Sequence, residues 1–144
     1  MMKQLLVVMT LLSPFADAPK AEKGDAEQIQ GTWENISRRF KGKNLEPFEG
    51  RMIVTEEFVK QQPEAVGSTC VYELDPTSDP KRITQWVVLE SGAEGRAIHG
   101  IFKIEGDTLT ICNYLYEDDR RPTRFSAEKG EGTDLEVYHR VKPK

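Results

Sequence analysis

The chain has 144 residues, of which 38% are hydrophobic and 31% charged, with a net charge of −4. That length supports one domain around a single core and leaves little room for a second, and the charge content excludes both a membrane-embedded body and a compositionally disordered chain. Mild acidity without a long basic run also removes the electrostatic footprint of a nonspecific nucleic-acid binder, so no nucleic-acid partner is expected.

Lys3 precedes the apolar run Leu5 to Leu12, and Ser13-Pro14 and the small-residue site Ala16-Asp17-Ala18 follow it. This order describes a secretory signal peptide over residues 1–18, so the chain is expected to be exported, to a periplasmic or extracellular location. Pro19 would sit directly after the cut at Ala18, an awkward place for signal peptidase, and cleavage nearer Ala21 stays open. The apolar run is far short of the roughly 20 residues that a transmembrane helix needs, so the chain is not expected to span a membrane. Residues 19–28 read as a flexible lead-in and one helical turn: Asp25 stands as a cap, and Gln28 three residues later resembles a capping box before Ile29.

From residue 29 to 144 the pattern is that of strands. Eight or nine short runs of β-formers are expected: Thr32–Arg38, Arg51–Thr55, Glu57–Gln61, Thr69–Leu74, Arg82–Leu89, Ala97–Glu105, Thr108–Tyr114, Thr123–Ala127 and Asp134–Val141. The breaks between them, such as "FKGKN", "DPTSDPK" and "EDDRRP", carry turn chemistry. Such strands with brief polar connections argue for an all-β antiparallel sandwich or up-and-down barrel. Alternation implies one wet and one buried face: Cys70, Tyr72 and Leu74 oppose Thr69, Val71 and Glu73, while Leu135, Val137 and His139 oppose Glu136, Tyr138 and Arg140. In "AIHGIFKI" both faces are partly apolar, which marks a strand covered by a loop or central in the sheet, and Gly100 within it marks a bend or a close approach of another backbone.

Two cysteines, Cys70 and Cys112, leave open a disulfide or two buried thiols, since both lie in apolar β-type runs. His99 and His139 are not at metal-ligand spacing, and no structural zinc or other cofactor is expected. No G-x-S-x-G, H-E-x-x-H or P-loop occurs, so no catalytic residue is assigned and the protein is read as non-enzymatic. The acidic tip Glu117, Asp118 and Asp119 reads as a solvated turn rather than a calcium site, as does Leu74 to Lys81 with Asp75 and Asp79, because calcium needs six to eight placed oxygens.

Gly31-Thr32-Trp33 after a short helical turn is similar to the G-x-W signature of the lipocalin and calycin group. In that group an arginine near the last strand lies across the tryptophan and closes the barrel, and Arg140 stands in the matching place. The runs Val71 to Thr84, Gly100 to Cys112 and Arg121 to Val141 resemble, in order and spacing, a family of small secreted lipocalin-like bacterial domains of planctomycete type. Phe102 stands where that family usually has a tyrosine. The resemblance implies a lipocalin-like up-and-down barrel over most of the mature chain and no defined activity.

On that fold, Tyr72, Trp86, Phe102, Tyr114 and Phe125 are the candidate lining of a cavity, and Arg120 and Arg121 the candidate rim, with Arg121 expected to pair with a carboxylate. The function expected is the binding of a small apolar or amphipathic molecule. The rival is a protein-binding module, an envelope adaptor or hydrolase inhibitor, using Lys41 to Asn44 and Glu117 to Arg121 on a filled barrel. A binder requires an apolar cavity of a few hundred cubic ångströms, an adaptor an exposed apolar patch, and a catalyst a cleft with perturbed titratable groups.

Overall fold

The computed structural model describes residues 24–64 and 68–143; the expected signal peptide and both cleavage positions lie outside the described residues. One short helix, α1 (Asp25–Gln28), precedes nine strands: β1 (Gly31–Phe40), β2 (Lys43–Leu45), β3 (Arg51–Val54), β4 (Phe58–Gln62), β5 (Thr69–Asp75), β6 (Lys81–Val88), β7 (Glu94–Glu105), β8 (Thr108–Tyr114) and β9 (Thr133–Arg140). Strands β3 to β9 pair in sequence order, and β9 returns to β1, which also pairs with β3. The result is a closed antiparallel barrel of eight strands, with β2 added as an extra strand on the second half of β1. Closure removes the unpaired edges that an open sheet of these strands would present.

Two expectations about elements are corrected. "FKGKN", expected as a break with turn chemistry, is a tight hairpin that also starts the unexpected strand β2: Lys41 and Gly42 both take positive φ (54° and 75°), and Phe40 pairs with Lys43 across them. Such a two-residue turn matches the twist of the strands it joins. Thr123–Ala127, expected as a strand, makes no ladder. Side chains take the place of strand partners there: the Glu131 carboxylate accepts from the Ser126 hydroxyl and the Glu128 backbone N–H, both at 2.6 Å, and from Arg124 at 2.9 Å. Those donors hold the Glu131 carboxyl down at about 2. The capping-box reading of Asp25 is corrected too. Gly24 is the N-cap, with no side-chain cap, and the Asp25 carboxylate instead meets Lys81 Nζ at 2.9 Å.

Chain direction places α1 and the turns 55–57, 76–80 and 106–107 at one end of the barrel, and the connections 41–42, 46–50, 89–93 and 115–132, with residues 63–64, at the other. The first end is filled. Trp33 is completely buried and its indole N–H donates to the Ile29 carbonyl at 2.8 Å. The Arg140 guanidinium lies 4.3 Å from the indole ring and donates to the carbonyls of Gln30 (2.8 Å) and Gln28 (2.6 Å). A guanidinium suits this place because it gives its face to the ring and its edge to carbonyls at once. Gly31 leaves the space for it, since a Cβ there would stand 2.7 Å from Arg140 Nη1. Above this plug Ile29, Val54, Val59, Ile83, Phe102 and Leu109 form the core, with Leu74, Tyr72 and Cys70 packed against it.

The long connection 115–132 folds down the outside of β6, β7 and β8. Arg121 fastens it: Nη1 donates to the carbonyls of Ile83 (2.9 Å) and Gly100 (2.8 Å), and Nη2 donates to Thr84 Oγ1 (2.9 Å) and reaches His99 Nδ1 at 3.0 Å. Guanidinium only donates, so Nδ1 of His99 is the acceptor. Under this flap Ile101 and Cys112 are buried, which explains the two-sided apolar pattern of "AIHGIFKI". Arg121→Lys keeps the charge and loses the planar fork; it is expected to lower unfolding free energy by about 1 to 3 kcal/mol, measured by urea denaturation.

Candidate functional site

The open end of the barrel holds a cavity of about 450 Å³, lined by Phe48, Glu49, Met52, Gln61, Gln62, Pro63, Gln85, Ile98, Ile111, Asn113, Glu136 and Tyr138. A groove at Gly50, Arg51, Gln62, Pro63 and Glu64 is larger, about 710 Å³, but it lies outside the wall and gathers little side-chain chemistry. The cavity is the candidate site because it is concave, inside the fold and lined by both apolar and convergent polar groups.

Its polar side comes from the pleat of β9. Arg140 points inward onto Trp33, so the two-residue period puts Tyr138, Glu136 and Asp134 on the same inner row. The alternative row, Leu135, Val137 and His139, faces out, which reverses the burial that hydrophobicity alone implies. On β1, Trp33 and Asn35 face inward, and a bulge at Ile36 then shifts the phase. Arg38 rather than Ser37 becomes the next inner residue, directly opposite Glu136. Asn35 holds the bulge, with Nδ2 donating to the carbonyls of Ser37 and Val137 at 3.1 Å each and Oδ1 accepting from the Phe48 N–H at 2.9 Å. The Arg38 guanidinium lies 3.8 Å from the Phe48 ring centre and donates to the Glu46 carbonyl at 3.1 Å, so the 46–50 loop is tied across this part of the lip.

Glu136 is 8% exposed and accepts a 2.5 Å hydrogen bond from the Tyr138 hydroxyl. Burial pushes its carboxyl well above the usual carboxylate range, and the hydrogen bond to Asp134 and the charge of Asp134 push it further, against a smaller opposing pull from Tyr138 and Arg38. The Tyr138 hydroxyl is likewise pushed up, first by burial and then by Glu136. Three buried polar atoms of this cluster have no hydrogen-bond partner: Arg38 Nε, Asn113 Oδ1 and Asp134 Oδ1. Unpaired buried polar atoms are costly and uncommon; Asn113 lines the cavity itself, while Arg38 and Asp134 stand beside its lining, paired across strands with Glu136 and Asn113 respectively.

The residues expected from sequence fall in several places. Trp33 and Arg140 meet at the filled end. Phe102 and Tyr72 face inward but belong to the packed core below the cavity; Tyr72 donates to the Thr55 carbonyl at 2.7 Å. Trp86, Tyr114 and Phe125 are corrected as cavity lining: none contacts the cup. Trp86 alternates with the inward Gln85 and so faces out, Tyr114 alternates with the inward Asn113 and sits beneath Arg120, and Phe125 lies outside under Lys103. Arg120 and Arg121 are not a rim either. Arg120 is held by Asp118 at 2.8 Å, and Arg121 binds backbone carbonyls instead of the carboxylate expected for it. Cys70 and Cys112 are both free thiols, the first on the inner side of the wall and the second on the outer, and burial raises both.

Asn35, Arg38, Gln85, Asn113, Asp134 and Glu136 were not among the expected site residues. The signal for two of them was present: once Arg140 is placed on Trp33, counting back in twos along β9 gives Glu136 and Asp134. No helix among the described residues is long and apolar enough to cross a membrane, and among them no three His, Cys, Asp or Glu side chains gather as a metal site. Compared with protein-family models, curated proteins and solved structures, the chain matches none, so the reading of the cup stands on its own geometry.

Proposed function

We propose that the protein is an exported, non-enzymatic lipocalin-like barrel of the small secreted bacterial type, and that it holds a small amphipathic molecule in its cup. The observation that carries this reading is the cavity itself: about 450 Å³, inside the range of small-ligand sites, with Phe48, Met52, Ile98 and Ile111 for an apolar body and Gln85, Asn113, Glu136 and Tyr138 for a polar end. A docking module on a filled barrel has no use for buried polar atoms left unpaired on the inner face of its wall. A wholly apolar ligand has none either, which narrows the expectation to amphipathic molecules.

Native mass spectrometry of the mature protein, purified from its own envelope fraction and compared before and after denaturation, tests the proposal. A discrete extra mass that is lost on denaturation is expected. A bare polypeptide mass, together with no change at the Ile98, Asn113 and Glu136 amides on adding small amphiphiles, overturns it.

A further inference from the structure

This inference rests on the ligand-binding reading above and specifies the ligand's head. Two carboxyl groups, Asp134 and Glu136, share the inner row of β9, and both residues are 8% exposed. One guanidinium, Arg38, faces them from β1, and it lies directly opposite Glu136. The other titratable groups that face Glu136 are Tyr138 on its own strand and Glu49 on the 46–50 loop; β8 contributes only Ile111 and Asn113, and β6 only Gln85. Asp134 and Glu136 set two buried acids against the one base Arg38, and Glu49 adds a third acid at the lip, so the cup is short of positive charge. Burial and the neighbouring Asp134 push the Glu136 carboxyl well above the usual carboxylate range, which favours its protonated form in the empty cup.

Of the three unpartnered atoms, two are acceptors, on residues that are cross-strand neighbours: Asn113 on β8 pairs directly with Asp134 on β9, and the Asn113 amide oxygen leans over Gly100 on β7. An unpartnered amide oxygen near a carboxyl pair, one oxygen of which is itself unpartnered, calls for a donor-rich, positively charged head with no acceptor of its own. An ammonium group, with three donors and no acceptor, meets that description. We infer that the cup binds amphipathic amines, whose ammonium head takes the place of the proton between Asp134 and Glu136 and donates to Asp134 Oδ1 and Asn113 Oδ1, with the tail against Met52, Phe48, Ile98 and Ile111. The exchange balances: the ammonium enters with its charge, Glu136 gives up its proton to solvent, and the charge of the cup is unchanged.

The pH dependence follows with a definite sign. A carboxyl whose folded pKa is raised favours the fold below its ordinary value and withdraws that support as pH rises through the raised value. The empty barrel therefore loses stability on alkalinisation, and an ammonium ion restores it most where Glu136 would otherwise have to ionise alone.

Octylamine, octanol and octanoate are the probes, since they share a tail and differ in head. Calorimetric titrations of the full mature chain in two buffers of different ionisation enthalpy give affinity and proton count, and amide shifts at Ile98, Asn113 and Glu136 locate the binding. The expected result is a preference for octylamine over octanol of about tenfold or more at pH 8, shrinking toward pH 5, with proton release approaching one per amine bound. Glu136→Gln, which mimics the neutral acid and keeps its shape, is expected to abolish proton release and cut the amine preference below about threefold while octanol binding persists. Asp134→Asn provides the second variant with the same expected loss of preference. Equal binding of amine and alcohol at the cup without proton release overturns the inference and leaves the cup reading standing. Preferential binding of octanoate also overturns it and assigns the site to anions at Arg38 Nε. No perturbation of cup amides by any probe overturns both readings.

Discussion

Trp33→Ala is expected to lower the unfolding free energy by about 3 to 5 kcal/mol, the cost of deleting a large buried aromatic side chain. Trp33 has no exposure, and its loss removes three things together: the volume that fills the closed end, the donor to the Ile29 carbonyl that seats the α1 turn, and the surface on which Arg140 lies. The Arg140 guanidinium would keep its bonds to Gln28 and Gln30 but would lie above a hole. The chain has two tryptophans, so Trp86 remains as a fluorescence reporter in the variant. Guanidinium denaturation followed at Trp86 gives the change directly. Trp33→Phe separates the contributions, because it keeps most of the volume and loses the N–H; its expected cost is about 1 to 2 kcal/mol. Equal midpoints for Trp33→Ala and the parent would show that the plug does not hold the barrel.

The same residue explains how much of this molecule is legible in its sequence. Strand positions were readable because turn residues punctuate them, and the one strand expected in excess, Thr123–Ala127, fails for a long-range reason: its polar groups are satisfied by Glu131 and Thr133 side chains. The phase of each strand was harder. Hydrophobicity gives the inner face only where the interior is apolar, and in β9 the interior is Asp134, Glu136 and Tyr138. Those residues look like the wet face of an amphipathic strand, while Leu135 and Val137 look like core. Geometry settles the phase through Trp33 and Arg140, which pair directly across β1 and β9 and stack inside the barrel. Arg38 was hidden more deeply, since it enters the cup only because the bulge at Ile36 adds a residue to β1. Nothing in "ENISRRF" marks that bulge. Aromatic residues misled in the same way: Trp86 and Tyr114 face outward from the wall and Phe125 belongs to the flap, and an eight-stranded wall with a flap has two apolar sides.

The lip of the cup supplies the second large effect. Gly50 has φ of +84°, and a Cβ there would stand 1.9 Å from the Gln62 carbonyl oxygen, 2.9 Å from its carbon and 3.0 Å from Pro63 Cδ. The obstacle is mostly backbone, so no side-chain rotation relieves it, and β3 and β4 must part where Arg51 pairs with Gln62. Gly50→Ala is expected to cost about 2 to 4 kcal/mol, from the left-handed conformation and the forced separation together. Gly92→Ala is the matched control: its φ is +88° and nothing lies within 4 Å, so it carries the conformational cost alone, about 1 to 2 kcal/mol. The difference between the two variants in urea midpoints measures the close approach. That contact joins two parts of the cup, since Phe48 and Glu49 precede Gly50 on one lip and Gln62 and Pro63 form the other. Ligand affinity should therefore fall in Gly50→Ala even at temperatures where the barrel stays folded, and stay unchanged in Gly92→Ala. Equal destabilisation and equal affinity in the two variants would mean that the Gly50–Gln62 approach shapes neither the barrel nor its cup.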